Sequence, residues 1–251
     1  MKRLLIGGLV SAIVAVGCGG GGGGSEDETP VPTTSAEGLW NGITSNGRAM
    51  SALVLDDGAY WVLYSLLGNH AVIAGAVQGN GNSQNSAFTS SNGRDFNLEG
   101  LGISAVTVNA NYVMRDRLSG SLRYTGSGEV VSFSSSYDAA YDLTPSLGII
   151  AGIYSGSAVT SGGVEFATVA ISTSGGISGA GASGCTFSGT AAPRSQGNVY
   201  NVAVTFNGGI CANGRDTVTG VAYYDAGLKQ LVSAALNSGR SNGFIFAGTK
   251  P

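Results

Sequence analysis

Few residues in this 251-residue chain carry types and spacings that could do chemistry. They are the thiols Cys18, Cys185 and Cys211, the single imidazole His70, and the neighbouring carboxylates Asp56 and Asp57. An acyl-transfer triad would need His70 as its base, with a serine and an aspartate brought close by the fold. No Gly-x-Ser-x-Gly elbow is present, and His70 follows Gly68-Asn69 in what reads as an exposed turn. Paired carboxylates could serve glycoside hydrolysis. Asp56-Asp57 stands directly before Gly58, however, and that order is better explained by turn chemistry. Phosphate-loop and calcium-loop patterns are both missing. Cys185 and Cys211 lie 26 apart with no histidine beside them, which is not zinc spacing. The expectation is a non-enzymatic chain with no catalytic residues, no metal and no cofactor. Candidates for binding are the large aromatics Trp40, Tyr60, Trp61, Tyr64, Tyr223 and Tyr224, which could line a pocket for an apolar or sugar ligand.

Composition narrows the partners. Charged residues make up 11% and glycine contributes 43 positions, without the three-residue period of collagen. Without Lys2 and Arg3, ten basic residues face fifteen acidic ones, a net charge near −5. A nucleic-acid partner is not expected, because nothing supplies the basic face that phosphates require. Arg115, Arg117 and Arg123 form one local basic group. On a strand their odd spacing would put all three on one solvated face.

The chain opens with Lys2-Arg3 and then a predominantly apolar stretch of 13 residues from Leu4 to Val16. As a helix that stretch is about 20 Å long, too short to span a bilayer but right for a secretory signal. Ala15-Val16-Gly17-Cys18 closes it. These residues resemble a bacterial lipoprotein signal, whose box ends in small residues followed by cysteine. The resemblance implies cleavage after residue 17 and a diacylglyceryl group on the Cys18 thiol, the first residue of the mature chain. More than one acyl chain is needed for firm anchoring. Gly19 rather than aspartate after the cysteine implies, by the same resemblance, sorting to the outer membrane, on either its periplasmic or its outer side. Residues 18–36, with Gly19 to Gly24 unbroken and Pro30 and Pro32 further on, read as a flexible tether. With Cys18 acylated, Cys185 and Cys211 are left in an oxidising compartment and are expected to pair.

These groups need a scaffold, and the rest of the sequence reads as strands. Asp56-Asp57-Gly58 separates Ser51–Leu55 from Ala59–Tyr64, a strong hairpin signal. Val106, Val108, Ala110 and Tyr112 alternate with polar residues, and Tyr200, Val202, Val204 and Phe206 share one face. Thr144-Pro145 looks like a helix cap followed by proline at the first helical position. Gly38–Gly42 matches Gly152–Gly156, Phe96–Gly100 matches Cys185–Gly189, and Leu118–Tyr124 matches Val218–Tyr224. The expected architecture is all-β: two tandem small antiparallel barrels or sandwiches joined by a short helical segment. The boundaries are a signal peptide over 1–17, a tether over 18–36, a β domain over 37–143, a helical linker over 144–151 and a second β domain over 152–251. Closing each sheet would remove exposed strand edges, which matters where lysine and proline guards are scarce.

A lipidated cysteine, a glycine-rich tether and paired β units together look like surface lipoproteins of the factor H-binding and transferrin-binding type. That resemblance is architectural and transfers no binding residue. It implies a lipid-anchored envelope protein that binds a protein or small ligand, with an envelope or host protein as the partner. The alternative is a structural or accessory subunit of an envelope complex.

Overall fold

The computed structural model describes residues 35–251. The signal peptide, Cys18 and all of the tether before Ser35 lie outside the described residues. Among the described residues, seventeen strands alternate with short turns. In order they are β1 (Gly38–Thr44), β2 (Ala49–Val54), β3 (Ala59–Leu66), β4 (Asn69–Asn80), β5 (Asn82–Gln84), β6 (Ala87–Asn97), β7 (Gly102–Val113), β8 (Arg117–Tyr124) and β9 (Val130–Tyr137). A 3₁₀ turn (Ala139–Asp142) and one helical turn, α1 (Leu147–Ile150), lead to the second set. That set is β10 (Gly152–Thr160), β11 (Gly163–Ile171), β12 (Gly176–Gly181), β13 (Thr186–Pro193), β14 (Val199–Phe206), β15 (Thr217–Asp225), β16 (Gln230–Leu236) and β17 (Gly243–Thr249).

Each set closes into an eight-stranded antiparallel barrel. In the first, β1 pairs with β9, and β4 pairs with β6, so the small β5 hangs outside the closure. In the second, β10 pairs with β17. The chain is therefore all-β, two barrels joined by a short helical segment.

Local chemistry explains the hairpins. At the β2–β3 turn the Asp57 carboxylate accepts from the backbone N–H of Ala59 at 3.0 Å. Gly58 has φ +80°, and a Cβ there would stand 2.3 Å from the Gly81 carbonyl oxygen, so only glycine fits. The helical segment departs from expectation. Ser146, not Thr144, is the residue before α1, and its side chain makes no capping bond. The segment is instead held by Tyr200, whose hydroxyl accepts from the Ser146 N–H at 2.8 Å and donates to the Ser146 carbonyl at 3.0 Å.

Two further expectations change. Arg115 does not share a strand face with Arg117 and Arg123. It sits in the β7–β8 turn with φ +57° and pairs with Asp142 at 3.1 Å. Of the three internal matches, only Gly38–Gly42 with Gly152–Gly156 falls on equivalent strands, the first of each barrel. Phe96–Gly100 ends the fifth strand of its barrel while Cys185–Gly189 begins the fourth, and β8 is the seventh where β15 is the sixth. A shift of one strand in an antiparallel barrel reverses chain direction, so those two pairs are not equivalent.

Both faces of several strands are buried. The inward face of the first barrel holds Trp40, Tyr60, Phe88, Val106 and Tyr112. The outward face of the same strands carries Leu39, Leu53 and Trp61, which pack with Val199, Val221, Ala234 and Ile245 from the outside of the second barrel. Three arginines edge this contact. Arg194 donates to the carboxylates of Asp56 and Asp57, and Arg94 donates to the carbonyls of Gly239 at 3.0 Å and Arg240 at 2.7 Å. Arg240 returns the contact by donating to the carbonyls of Asn92 at 2.9 Å and Gln78 at 2.5 Å.

The second barrel is stapled at one end. Cys185, before β13, is bonded to Cys211 in the loop between β14 and β15. In the chain-entropy account a bridge of this span is worth about 3.5 kcal/mol.

Candidate functional site

An eight-stranded barrel is just wide enough either to be filled by its own side chains or to hold one small ligand. The two barrels make different choices. The second is filled: Tyr154, Phe187, Tyr200, Phe206, Phe244 and Phe246 occupy its interior. The voids found there hold only about 20 Å³ each. Lys250 caps one end, its ammonium 4.7 Å from the Tyr224 ring centre and 3.1 Å from the Ala151 carbonyl oxygen.

The first barrel is hollow, with a cavity of about 430 Å³. That lies within the range of small-molecule sites. One end of the barrel is plugged by the Trp40, Tyr60, Phe88 and Tyr112 side chains, and Tyr60 meets Phe88 edge to face at 5.6 Å. Trp40 is fully buried, and its indole N–H donates to the Ala36 carbonyl at 2.9 Å where the chain arrives. The cavity runs to the opposite end, lined there by Thr44 at the end of β1, by Asn46 and Arg48 from the β1–β2 turn, by Leu101, and by Ser127 and Glu129 from the β8–β9 turn. Its walls are apolar, from Met50, Val62, Val77, Leu118, Leu122 and Phe133.

One polar cluster interrupts these walls. Asp95 on β6 is 2% exposed. Its two oxygens accept from the hydroxyls of Tyr64, at 2.8 Å, and Tyr124, at 2.7 Å. Asn97 donates to the Tyr64 oxygen at 3.3 Å. Arg48 lies nearby, 5.6 Å above the Tyr64 ring. It is bound at 2.8 Å to Glu99 and at 2.9 Å to the Ser65 carbonyl.

Burial pushes the Asp95 carboxyl above its usual range, with the two phenols and Arg48 pulling the other way. Tyr64 and Tyr124 are both raised, first by burial and then by their bonds and proximity to Asp95. Space for Tyr64 comes from β4. A Cβ on Gly75 would stand 2.1 Å from the phenol oxygen, so the ring lies where a side chain would otherwise be.

The six aromatics singled out from sequence divide by location. Tyr60 and Tyr64 line the cavity. Trp40 belongs to the plug beneath it. Trp61 and Tyr223 lie in the contact between barrels, where burial raises the Tyr223 phenol to about 12, followed by Asp138 and Asp225. Tyr224 is in the core of the second barrel. His70 is exposed at the start of β4, with Nε2 3.2 Å from the Gly47 carbonyl oxygen. Asp56 and Asp57 are engaged by Arg194.

Asp95, Tyr124 and Arg48 were not picked out from the sequence. The signal that was present is the inward alternation of Phe88, Ser90, Gly93 and Asp95, but a bulge after Ser90 resets its phase. Among the described residues, no three histidine, cysteine or acidic side chains gather as a metal site.

No family model and no curated protein matches the chain. Among solved structures it is similar to a candidate outer membrane protein of Bacteroides fragilis, at 13% identity and a TM-score of 0.28, over 86% of this chain and 97% of that one. It is also similar to a double mutant of Transferrin Binding Protein B from Haemophilus parasuis, described as a vaccine antigen, at 9% identity and a TM-score of 0.29. That alignment covers 80% of this chain and 65% of the other, so the chain spans less than two thirds of that protein's length. Intact Transferrin Binding Protein B with its N and C lobes aligns at 9% identity and a TM-score of 0.30, over 81% of this chain and 66% of that one.

Proposed function

We propose that this chain is a non-catalytic bacterial envelope lipoprotein, held to the outer membrane through Cys18, whose first barrel binds a small ligand. The observation that carries the binding role is the contrast between the barrels: one interior is filled, and the other keeps a cavity of about 430 Å³ with one buried polar cluster. Voids of that size are not usual in close-packed interiors. The anchor rests on the Ala15-Val16-Gly17-Cys18 box after a short apolar stretch. The bridge between Cys185 and Cys211 is in keeping with a compartment outside the cytosol. A docking role toward an envelope or host protein is favoured by a separate feature, the exposed Val164 and Phe166 on the outer face of β11.

The binding role is tested with a neutral apolar probe, N-phenyl-1-naphthylamine, titrated into the mature chain and followed by its fluorescence. Saturable binding at one site per chain is expected. Leu122→Trp, which places a larger side chain on the cavity wall, should abolish it while circular dichroism is unchanged. Absence of saturable binding, or binding unaffected by Leu122→Trp, would refute the reading.

A further inference from the structure

The chemistry of the cavity points to the kind of ligand it takes; this step rests on the hollow first barrel being a binding site. Three charged side chains line the cavity: Arg48, Asp95 and Glu129. The guanidinium of Arg48 is already matched by Glu99. Asp95 has two phenols as partners but no ion pair among the described residues, and Glu129 sits toward the rim without one. The uncompensated charge facing the cavity is therefore negative.

Hydrogen-bonding capacity leans the same way. A phenol has one proton to give, and Tyr64 and Tyr124 both give theirs to Asp95. What they offer a ligand is oxygen lone pairs. The Asn97 carbonyl already accepts from the backbone N–H groups of Glu99 at 2.9 Å and Leu101 at 3.1 Å, and its amide donates to Tyr64. Around Asp95 the polar pole is thus rich in acceptors, and the nearest donors lie on Arg48, whose Nη1 is taken by Glu99 and the Ser65 carbonyl. A carboxylate or phosphate head placed there would meet like charge in a poorly solvated site, whereas an ammonium brings three donors and the missing positive charge.

We propose that the first barrel binds a compact cationic amphiphile, with its protonated amine against the Tyr64–Asp95–Tyr124 cluster and its apolar body along the Val62, Leu118, Leu122 and Phe133 wall. The ammonium occupies the position of the counter-ion that the buried carboxylate lacks. The volume admits a fused-ring or short-chain body.

The test uses three probes with one body and different heads: 1-naphthylmethylamine, 1-naphthalenemethanol and 1-naphthoate. Each is titrated calorimetrically at pH 7 into the mature full-length chain in a neutral detergent, with detergent alone as the blank. The amine should bind at least tenfold more tightly than the alcohol, and the carboxylate more weakly than either. Asp95→Asn should erase the amine's advantage over the alcohol. Equal or tighter binding of naphthoate, or an amine preference that survives Asp95→Asn, overturns the head-group assignment and leaves the hollow-barrel reading standing. If none of the three binds, the hollow-barrel reading fails instead. Should Asp95→Asn not fold, Tyr124→Phe serves. It frees one carboxylate oxygen, so the amine preference should rise, and an unchanged or smaller preference counts against the assignment.

Discussion

The hydroxyl of Tyr64 donates to Asp95 at 2.8 Å across the inside of the first barrel, joining β3 to β6 over a sequence separation of 31 residues. The same carboxylate takes a second phenol, Tyr124, from β8. Three non-adjacent strands thus hold one buried carboxylate among the largely apolar walls of the cavity, and the consequences can be measured.

Asp95 makes stability depend on pH in an unusual sense. Its folded pKa is raised above 3.8, chiefly by burial. The folded state then holds the proton more tightly than the unfolded state, so this residue's contribution is fully present below the unfolded value and is lost as pH rises through the folded one. Denaturant unfolding of the native chain and of Asp95→Asn, across pH 3.5 to 7, should show a falling component in the native chain that the variant lacks. Parallel curves would contradict the assignment.

Gly75 tests the seat of Tyr64. A Cβ there would lie 2.1 Å from the phenol oxygen, and the ring must shift to admit it. Gly75→Val is expected to cost about 1–3 kcal/mol through overpacking. It should also raise the amine probe's preference over the alcohol, because pushing the Tyr64 phenol off Asp95 frees one carboxylate oxygen. A destabilised variant with an unchanged preference would show that the Tyr64 position is immaterial to the site.

The disulfide should matter for stability and not for binding. Replacing Cys185 and Cys211 together by alanine is expected to cost about 3.5 kcal/mol by the loop-entropy relation. The bridge belongs to the second barrel, so affinity for N-phenyl-1-naphthylamine should stay within twofold below the unfolding transition. A coupled loss of affinity in folded protein would mean that the barrels communicate.

The arginine contacts hold the barrels together. Arg194→Ala removes donors to Asp56, Asp57 and Asn201. A loss of about 1–2 kcal/mol is expected, moderated by the partial exposure of the aspartates. Arg240→Ala should cost at least as much, because it leaves the Gln78 and Asn92 carbonyls without that partner. Separation of one unfolding transition into two in either variant would show that these contacts couple the barrels.

Cys18→Ala checks the anchor. The native chain should fractionate with membranes and the variant should not, and mass spectrometry of the native amino terminus should find acyl groups on residue 18. Retention of the variant in washed membranes would end the lipoprotein reading.

Much of the scaffold was legible along the chain. Period-two alternation in Val106–Tyr112 and Tyr200–Phe206 marked which side chains face inward, because successive strand residues point to opposite sides whatever the fold. The Asp56-Asp57-Gly58 turn announced its hairpin, and two thiols left in the folded part could pair only with each other. What each face meets was decided in three dimensions. Tyr60 and Trp61 are neighbours in sequence, yet one enters the first barrel and the other lies between barrels, since alternation separates faces without naming what covers them. Asp95 escaped notice because a bulge after Ser90 shifts the phase and because its partners are remote in sequence. Whether a barrel is hollow depends on the summed volume of side chains from eight strands meeting at one axis, a quantity no local window contains. Phenylalanines at 187, 206, 244 and 246 converge and fill the second barrel, while valines, alanine and a buried carboxylate leave the first one open.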